Sequence, residues 1–334
     1  MQVTYLRGRN LRQRMIKLGV LASRRRMEHY QQTLGSFSVL NLAGYLDTDD
    51  KANYNQEGQL LYAADFLSRV DAVIVDRYIS FIPEVLIRQL LRSGKHVLAD
   101  GFLLSNPEVL QDLMELNHEA RVVFQVAGSA FAKPVFQAAK PLLKEPQLIK
   151  LEKYTSSLAV GNFDRWLHFT MCNELDLALR IIRSDVKAVK AKPVFMFSNH
   201  PDLINVHVEF QNGSVFQMSF GRIPSEDACV MRVYSRDRFY RIDLDRGSIR
   251  ECRLLEEDQQ LGFDLEEWSH PVGKRFEEIE RTVPWFDPWK TEIKSFVEHI
   301  TLDRKPATGL EEMHQVAELV REVKHQLSRN YVFE

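Results

Sequence analysis

The stretch Ile16-Lys-Leu-Gly-Val-Leu-Ala-Ser-Arg-Arg-Arg-Met-Glu-His-Tyr30 decides the fold. An apolar run from Ile16 to Leu21 ends in a turn, Met27 to Leu34 continues with a helical pattern, and a second apolar run closes on Asp47. That is the order of a βαβ unit whose first turn ordinarily reads Gly-x-Gly-x-x-Gly and receives a dinucleotide pyrophosphate. Here the three glycine positions are Ala22, Arg24 and Met27. The first glycine permits the bend, the second lets pyrophosphate reach the backbone, and the third lets helix and strand close up. Ala22 can still turn. Arg24 puts a long side chain where phosphate would rest, and Met27 pushes the helix off the strand.

Working outward, short β-rich runs alternate with helical patterns through the first 130 residues, the signature of a parallel sheet with crossover helices. Val39 to Leu46, Asp71 to Val75, His96 to Ala99 and Val122 to Val126 read as further strands. Pro83 to Ser93 is a helix stopped at Gly94, and Asn106-Pro107 caps and opens another through Leu116. After Ala130 the rhythm changes. Helices are expected over Pro134 to Leu143 and Phe169 to Ile182, and strands over Leu148 to Thr155, Lys187 to Phe197, Ile204 to Phe210, Val215 to Phe220, Ala228 to Ser235, Phe239 to Leu244 and Ser248 to Leu254. Asn212-Gly213 predicts a hairpin with positive φ at both turn positions. Thr291 to Ile300 and Leu310 to Leu327 are amphipathic helices. The expected class is α/β: a Rossmann-type parallel sheet over 16–130, then an α+β domain with a largely antiparallel open sheet over 131–334, whose last helices return to the first domain. Residues 1–15 form an N-terminal extension.

At 334 residues and a formal charge of -2, with 27% charged and 45% hydrophobic residues, the chain reads as a globular protein with no polyanion-seeking surface, so nucleic acid is not the expected partner. Arg7, Arg9, Arg12, Arg14, Lys17, Arg24, Arg25 and Arg26 precede the first acid, Glu28. This basic start has neither the apolar core nor the amphipathic Ser-rich pattern of a targeting segment, and initiation at Met15 is the favoured account of it. No run is apolar enough to cross a bilayer, and a cytoplasmic location is expected. Cys172, Cys229 and Cys252 have no paired spacing, which argues against a disulfide framework or a structural zinc site; no metal is expected.

The order of features resembles the glucose-fructose oxidoreductase and inositol dehydrogenase (Gfo/Idh/MocA) family along nearly the whole chain. The residues that carry the resemblance are Ile16 to Val20, Asp71-Ala-Val-Ile-Val75, Ser93-Gly-Lys-His-Val97, Glu292-Ile-Lys-Ser-Phe-Val-Glu-His-Ile300 and Gly309-Leu-Glu-Glu312. The resemblance implies NAD or NADP as cofactor, redox chemistry on a sugar or polyol-like ligand, and a homodimer or homotetramer formed through the C-terminal sheet. The apolar residues Phe210, Val215, Phe216, Met218 and Phe220 are the expected material for that assembly.

The family's functional positions are altered one after another. Its Glu-Lys-Pro motif after the Gly-Lys-His-Val strand is replaced by Asp100-Gly101-Phe102, so the lysine is gone. Its histidine three residues before an aspartate becomes Asn173 before Asp176. Asn cannot titrate, though its amide can still hold a hydroxyl. Asn173 and Asp176 share one helix face and either enter a common cleft or solvate the helix. Ala22, Ser23, Arg24, Arg25, Arg26 and Asp47 are the candidate cofactor residues, with two readings of the arginines: an anion site at a helix N-terminus, or a solvated turn. His168, with Asp164 four residues earlier, is the remaining proton-transfer candidate, and Cys172 reads as core. The leading expectation is a degenerate member that acts in binding or regulation. The alternatives are an active NAD(P)-dependent oxidoreductase with an atypical site, and a lyase or hydrolase using Asp100, Asp176 and His168.

Overall fold

The computed structural model describes residues 15–50, 63–76, 83–101, 103–128, 130–156, 163–197, 200–223, 227–254 and 276–329. Chain packing divides into two compact units, one holding Gln111–Val126 and Ile293–Leu310 with the N-terminal residues through Leu103, the other holding Leu104–Leu110, Ala127–Glu292 and the residues from Glu311 onward.

The first unit is built on strands β1 (Ile16–Ala22), β2 (Leu40–Asp47), β3 (Ala72–Val75), β4 (His96–Asp100) and β5 (Phe124–Ala127), in the order β2-β1-β3-β4-β5. β1 pairs in parallel with β2 and β3, and β3 with β4. Helices α1 (Arg24–Leu34), α2 (Ala63–Arg69), α3 (Pro83–Arg92) and α4 (Pro107–Ala120) are the crossovers. Val73, Ile74, Val75, Val97, Leu98 and Ala99 are wholly buried, as expected for parallel strands covered on both faces. Two expected helix boundaries have their capping chemistry. Gly94 has φ +65 and its N–H bonds Leu91 O, while Asn106 Oδ1 accepts from the N–H groups of Glu108 and Val109. Helix α2 was not legible in the sequence. Its Phe66 lies over Gly19 and Gly44, paired residues of β1 and β2, so closely that a Cβ on Gly19 would stand 2.5 Å from the ring. The glycine of β1 thus serves helix-on-sheet packing rather than a ligand-binding turn.

The second unit carries an eight-stranded sheet. Its strands are β6 (Leu148–Thr155), β7 (Val186–Val194), β8 (Leu203–Phe210), β9 (Val215–Arg222), β10 (Ala228–Tyr234), β11 (Arg238–Asp243), β12 (Ser248–Leu254) and β13 (Phe276–Thr282), ordered β13-β12-β11-β10-β6-β9-β8-β7. Only β6 and β9 run parallel; the other pairs are antiparallel. Helices α5 (Pro134–Ala139), α6 (Phe163–Ile182), α7 (Pro288–Leu302) and α8 (Leu310–Ser328) complete the set among the described residues, with α7 beginning in one unit and continuing in the other. Helix α6 begins six residues earlier than the sequence pattern predicts.

Two sequence expectations need correction. Of the hairpin residues only Gly213 has positive φ, +85; its N–H bonds Phe210 O, and Phe210 N–H bonds Ser214 O. The connection is a three-residue loop closed by a left-handed glycine, not the two-residue turn that Asn-Gly suggests. Phe210, Phe216, Met218 and Phe220, expected as material for assembly, are 0–1% exposed within the single chain. They face the chain's own core. The opposite face of the sheet is polar, with Arg232 paired to Glu152, Ser219 to Asn205 and Arg250 to Glu278.

Candidate functional site

Doubly wound sheets bind ligands in the crevice outside the carboxyl ends of their strands, where the strand order reverses. In this sheet the chain passes from β1 to β2 on one side and to β3 on the other. β1 ends at Ala22, Ser23 is the N-cap residue, and α1 starts at Arg24. Ser23 makes no side-chain capping bond, and no acid stands in the first turn. Three arginines at a helix N-terminus oppose the helix dipole. Arg24 and Arg25 meet this by pointing into solvent.

Arg26 does not. Its Nε donates to Asp76 Oδ2 at 2.9 Å and its Nη2 to Asp100 Oδ2 at 3.1 Å. Asp76 directly follows β3 and Asp100 is the last residue of β4, so the guanidinium spans the carboxyl ends of two neighbouring strands. Tyr30, one helical turn after Arg26, has its hydroxyl 2.7 Å from Asp76 Oδ2 and 3.2 Å from Asp100 Oδ2, and its ring centroid 5.5 Å from the guanidinium carbon. Both carboxylates are buried while the Arg26 side chain is one-third exposed. A buried carboxylate requires a partner, and one arginine here serves two. Burial works against the Arg26 cation, but the bond to Asp76 and its charge, with Tyr30, hold it protonated above its ordinary range. Burial, then the charges of Asp100 and Asp76, push the Tyr30 phenol up and keep it protonated.

Formally the cluster holds two negative charges and one positive. The Arg26 guanidinium is thus already engaged, while Arg24 and Arg25 stand exposed at the same helix N-terminus. Acceptor groups around the turn have partners of their own. Ala22 is buried, and its carbonyl accepts from Thr48 N–H and from the Tyr45 hydroxyl. The Ser23 carbonyl accepts from Arg26 N–H. Asp47 Oδ1 accepts from Asp49 N–H within its own loop.

The other candidates lie on α6. Asp176 is buried and accepts from Arg180 Nε at 2.7 Å through Oδ1, while its Oδ2 has no hydrogen-bond partner. Burial, opposed by Arg180, raises its pKa. Asn173 is half-exposed on the same helix and shares no hydrogen bond with Asp176. The neighbouring Glu174 is buried and pairs with Lys153 of β6. His168 Nδ1 lies 3.5 Å from Cys172 Sγ, but burial pushes that thiol well up, so the contact activates no thiolate. The Asp164 side chain, expected to orient His168, lies outside the described residues, as does Phe102. His168 and Asp176 are two helical turns apart, ~12 Å along the axis, and Asp100 is engaged in the other unit with Arg26 and Tyr30. No group of three or more metal-ligating side chains occurs among the described residues, and no helix among them is long and apolar enough to cross a membrane.

Sequence reasoning missed Asp76 and Tyr30. A signal was present: the two strand runs end alike, Val-Ile-Val-Asp76 and Val-Leu-Ala-Asp100, which puts two acids at adjacent carboxyl ends of a parallel sheet.

No family model and no curated protein matches the chain in sequence. Solved structures do match it. UDP-N-acetylglucosamine 3-dehydrogenase GnnA from Acidithiobacillus ferrooxidans superposes with a TM-score of 0.75 at 18% identity, covering 94% of this chain and 98% of that one. A dehydrogenase from Chromobacterium violaceum gives 0.73 at 13% identity, covering 95% and 96%. Levoglucosan dehydrogenase in complex with NADH and L-sorbose gives 0.72 at 11% identity, covering 94% and 97%. With its five-stranded parallel sheet, its eight-stranded, largely antiparallel sheet and these neighbours over nearly its full length, the chain has the fold of the Gfo/Idh/MocA-type dehydrogenases.

Proposed function

We propose that this protein is an oxidoreductase-fold member that has given up hydride transfer and acts in ligand binding or regulation. One observation carries the reading: Arg26, rooted in the first turn of α1, is bonded to Asp76 and Asp100 across the carboxyl ends of β3 and β4. Arg26 is thereby committed to two carboxylates beside the turn, and the residues at the turn do not fit a pyrophosphate: Ala22 is sealed in the strand, Arg24 stands at the second glycine position and Met27 at the third. Asn173 at the family's histidine position supports the same reading, since an amide holds a hydroxyl without exchanging its proton. The ligand is then a sugar-like molecule bound without turnover. Assembly as a homodimer or homotetramer would use the polar outer face of the eight-stranded sheet, because the apolar face is consumed by the chain's own core.

Thermal unfolding with NAD, NADH, NADP or NADPH at millimolar concentration tests this reading. The expected result is no shift. A ligand at about 100 times its dissociation constant adds roughly 2.7 kcal/mol, several degrees in Tm. Such a shift with any of the four, accompanied by oxidation of a polyol, would establish the active oxidoreductase reading that the NADH-bound neighbour favours.

A further inference from the structure

The second unit contains a concavity of about 810 Å³ lined by Phe131, Phe136, the α5–β6 connection, the last turn of α6, the β8–β9 loop and the β10–β11 turn. Five cations line it: Lys140, Lys144, Arg180, Arg183 and Arg236, against one acid, Glu145. The chain as a whole carries a formal charge of -2, so this concentration of positive charge is local.

From these residues we infer that the pocket binds a small polyanion carrying two or more negative charges, of the phosphate-ester or polycarboxylate kind. Three observations converge on it. First, Arg180 is set in place: its Nε is bonded to buried Asp176, its side chain is 12% exposed, and its guanidinium carbon lies 4.4 Å from the Phe131 ring centroid. Lys140 Nζ lies 4.5 Å from the same centroid. The aromatic ring thus holds two cations near each other at the pocket wall. Second, Lys140, Lys144, Arg183 and Arg236 form no ion pair with any described residue, although carboxylates outnumber cations in the chain. Burial, then the charges of Arg180 and Arg183, lower the Lys140 pKa, so the cluster is short of counter-charge. Third, the cations come from separate segments. Arg180 and Arg183 complement the carboxyl end of α6, as cations at a helix C-terminus do. Arg236 sits in a strand turn, at no helix end, and still faces the same space. The volume suits a small organic ligand rather than a single inorganic ion, and guanidinium forks suit phosphate or carboxylate oxygens.

Isothermal titration of the full chain with inorganic pyrophosphate, and separately with citrate, tests this. Saturable binding is expected, weakening about tenfold or more in the Lys144→Gln/Arg236→Gln double variant. Both positions are exposed, and an unchanged circular dichroism spectrum checks that the fold is intact. Binding of pyrophosphate alone identifies a phosphate site, and equal binding of citrate a general polyanion site. Arg250→Gln, on the outer sheet face, leaves the affinity unchanged. Absence of saturable heat with either anion up to about 10 mM, equal affinity in the double variant, or equal weakening in Arg250→Gln overturns the proposal.

Discussion

The Arg26 Nε lies 2.9 Å from Asp76 Oδ2, joining the first turn of a helix to a carboxylate that has no solvent exposure of its own. Because Nη2 of the same guanidinium serves Asp100 at 3.1 Å, one side chain partners two buried acids. Arg26→Ala is therefore expected to cost more than an ordinary surface arginine. Breaking a buried pair costs about 3–5 kcal/mol, and the one-third exposure of Arg26 reduces this to roughly 2–3 kcal/mol. Urea unfolding at neutral pH measures it. Arg26→Lys should recover only part of it, since an ammonium lacks the fork that reaches both acids. A cost below about 0.5 kcal/mol would mean that the clamp is not a structural element.

Phe66 and Gly19 supply a second, independent test. A Cβ on Gly19 would meet Phe66 Cζ at 2.5 Å, and one on Gly44 would meet Phe66 Cε2 at 2.9 Å. The ring is 6% exposed and has little room to withdraw. Gly19→Ala is expected to destabilise by about 1–3 kcal/mol, the usual cost of overpacking. Phe66→Leu alone also destabilises, but in that background Gly19→Ala should cost much less. A double-mutant cycle gives the coupling directly. Additive losses would show that the glycine is needed for another reason.

The same residues indicate how much was legible beforehand. Fully buried parallel strands such as Ala72–Val75 announce themselves as unbroken apolar runs, and Asn106 and Gly94 announce helix ends through capping chemistry that is local to a few residues. β13 was missed because it is an edge strand with both faces half in water. Its sequence, Phe-Glu-Glu-Ile-Glu-Arg-Thr, pairs Glu277, Glu278 and Glu280 with arginines of β12, so its stabilisation is ionic and leaves little apolar alternation to read. The start of α6 was missed although Phe163, Trp166 and Leu167 stand at helical spacing, an apolar stripe of only two turns before Phe169. At the candidate site, the three altered glycine positions were visible as residue types, but Asp76 acquires meaning only when β3 and β4 lie side by side. The basic pocket is assembled from several separated segments, and no linear pattern encodes that.

Acidification should destabilise the first unit through two histidines. His96 Nδ1 accepts from Val123 N–H at 2.9 Å, a role only the neutral ring can fill. Burial lowers its pKa, with Lys95 acting in the same direction and Asp71 and Asp303 opposing. Burial also lowers the pKa of His299, whose Nδ1 lies 2.9 Å from Gln125 Oε1. With folded pKa values below the unfolded one, the unfolded chain binds more protons in the interval between them, so the slope of stability with pH is positive there. The contribution is fully present above the unfolded value, about 6.5, and is lost progressively as pH falls below it toward the folded values. Carboxylates held below their ordinary range by hydrogen bonds, such as Asp227 beside Ser156, add to acid unfolding at lower pH, so the variants are needed to isolate the histidine part. Stability measured between about pH 7.5 and pH 5.5 should fall less steeply in His96→Gln, whose wild-type counterpart must give up the Val123 bond to take its proton. Val123 N–H can retain an acceptor in the amide oxygen of that variant. If the two pH profiles run parallel, His96 is not the titrating group.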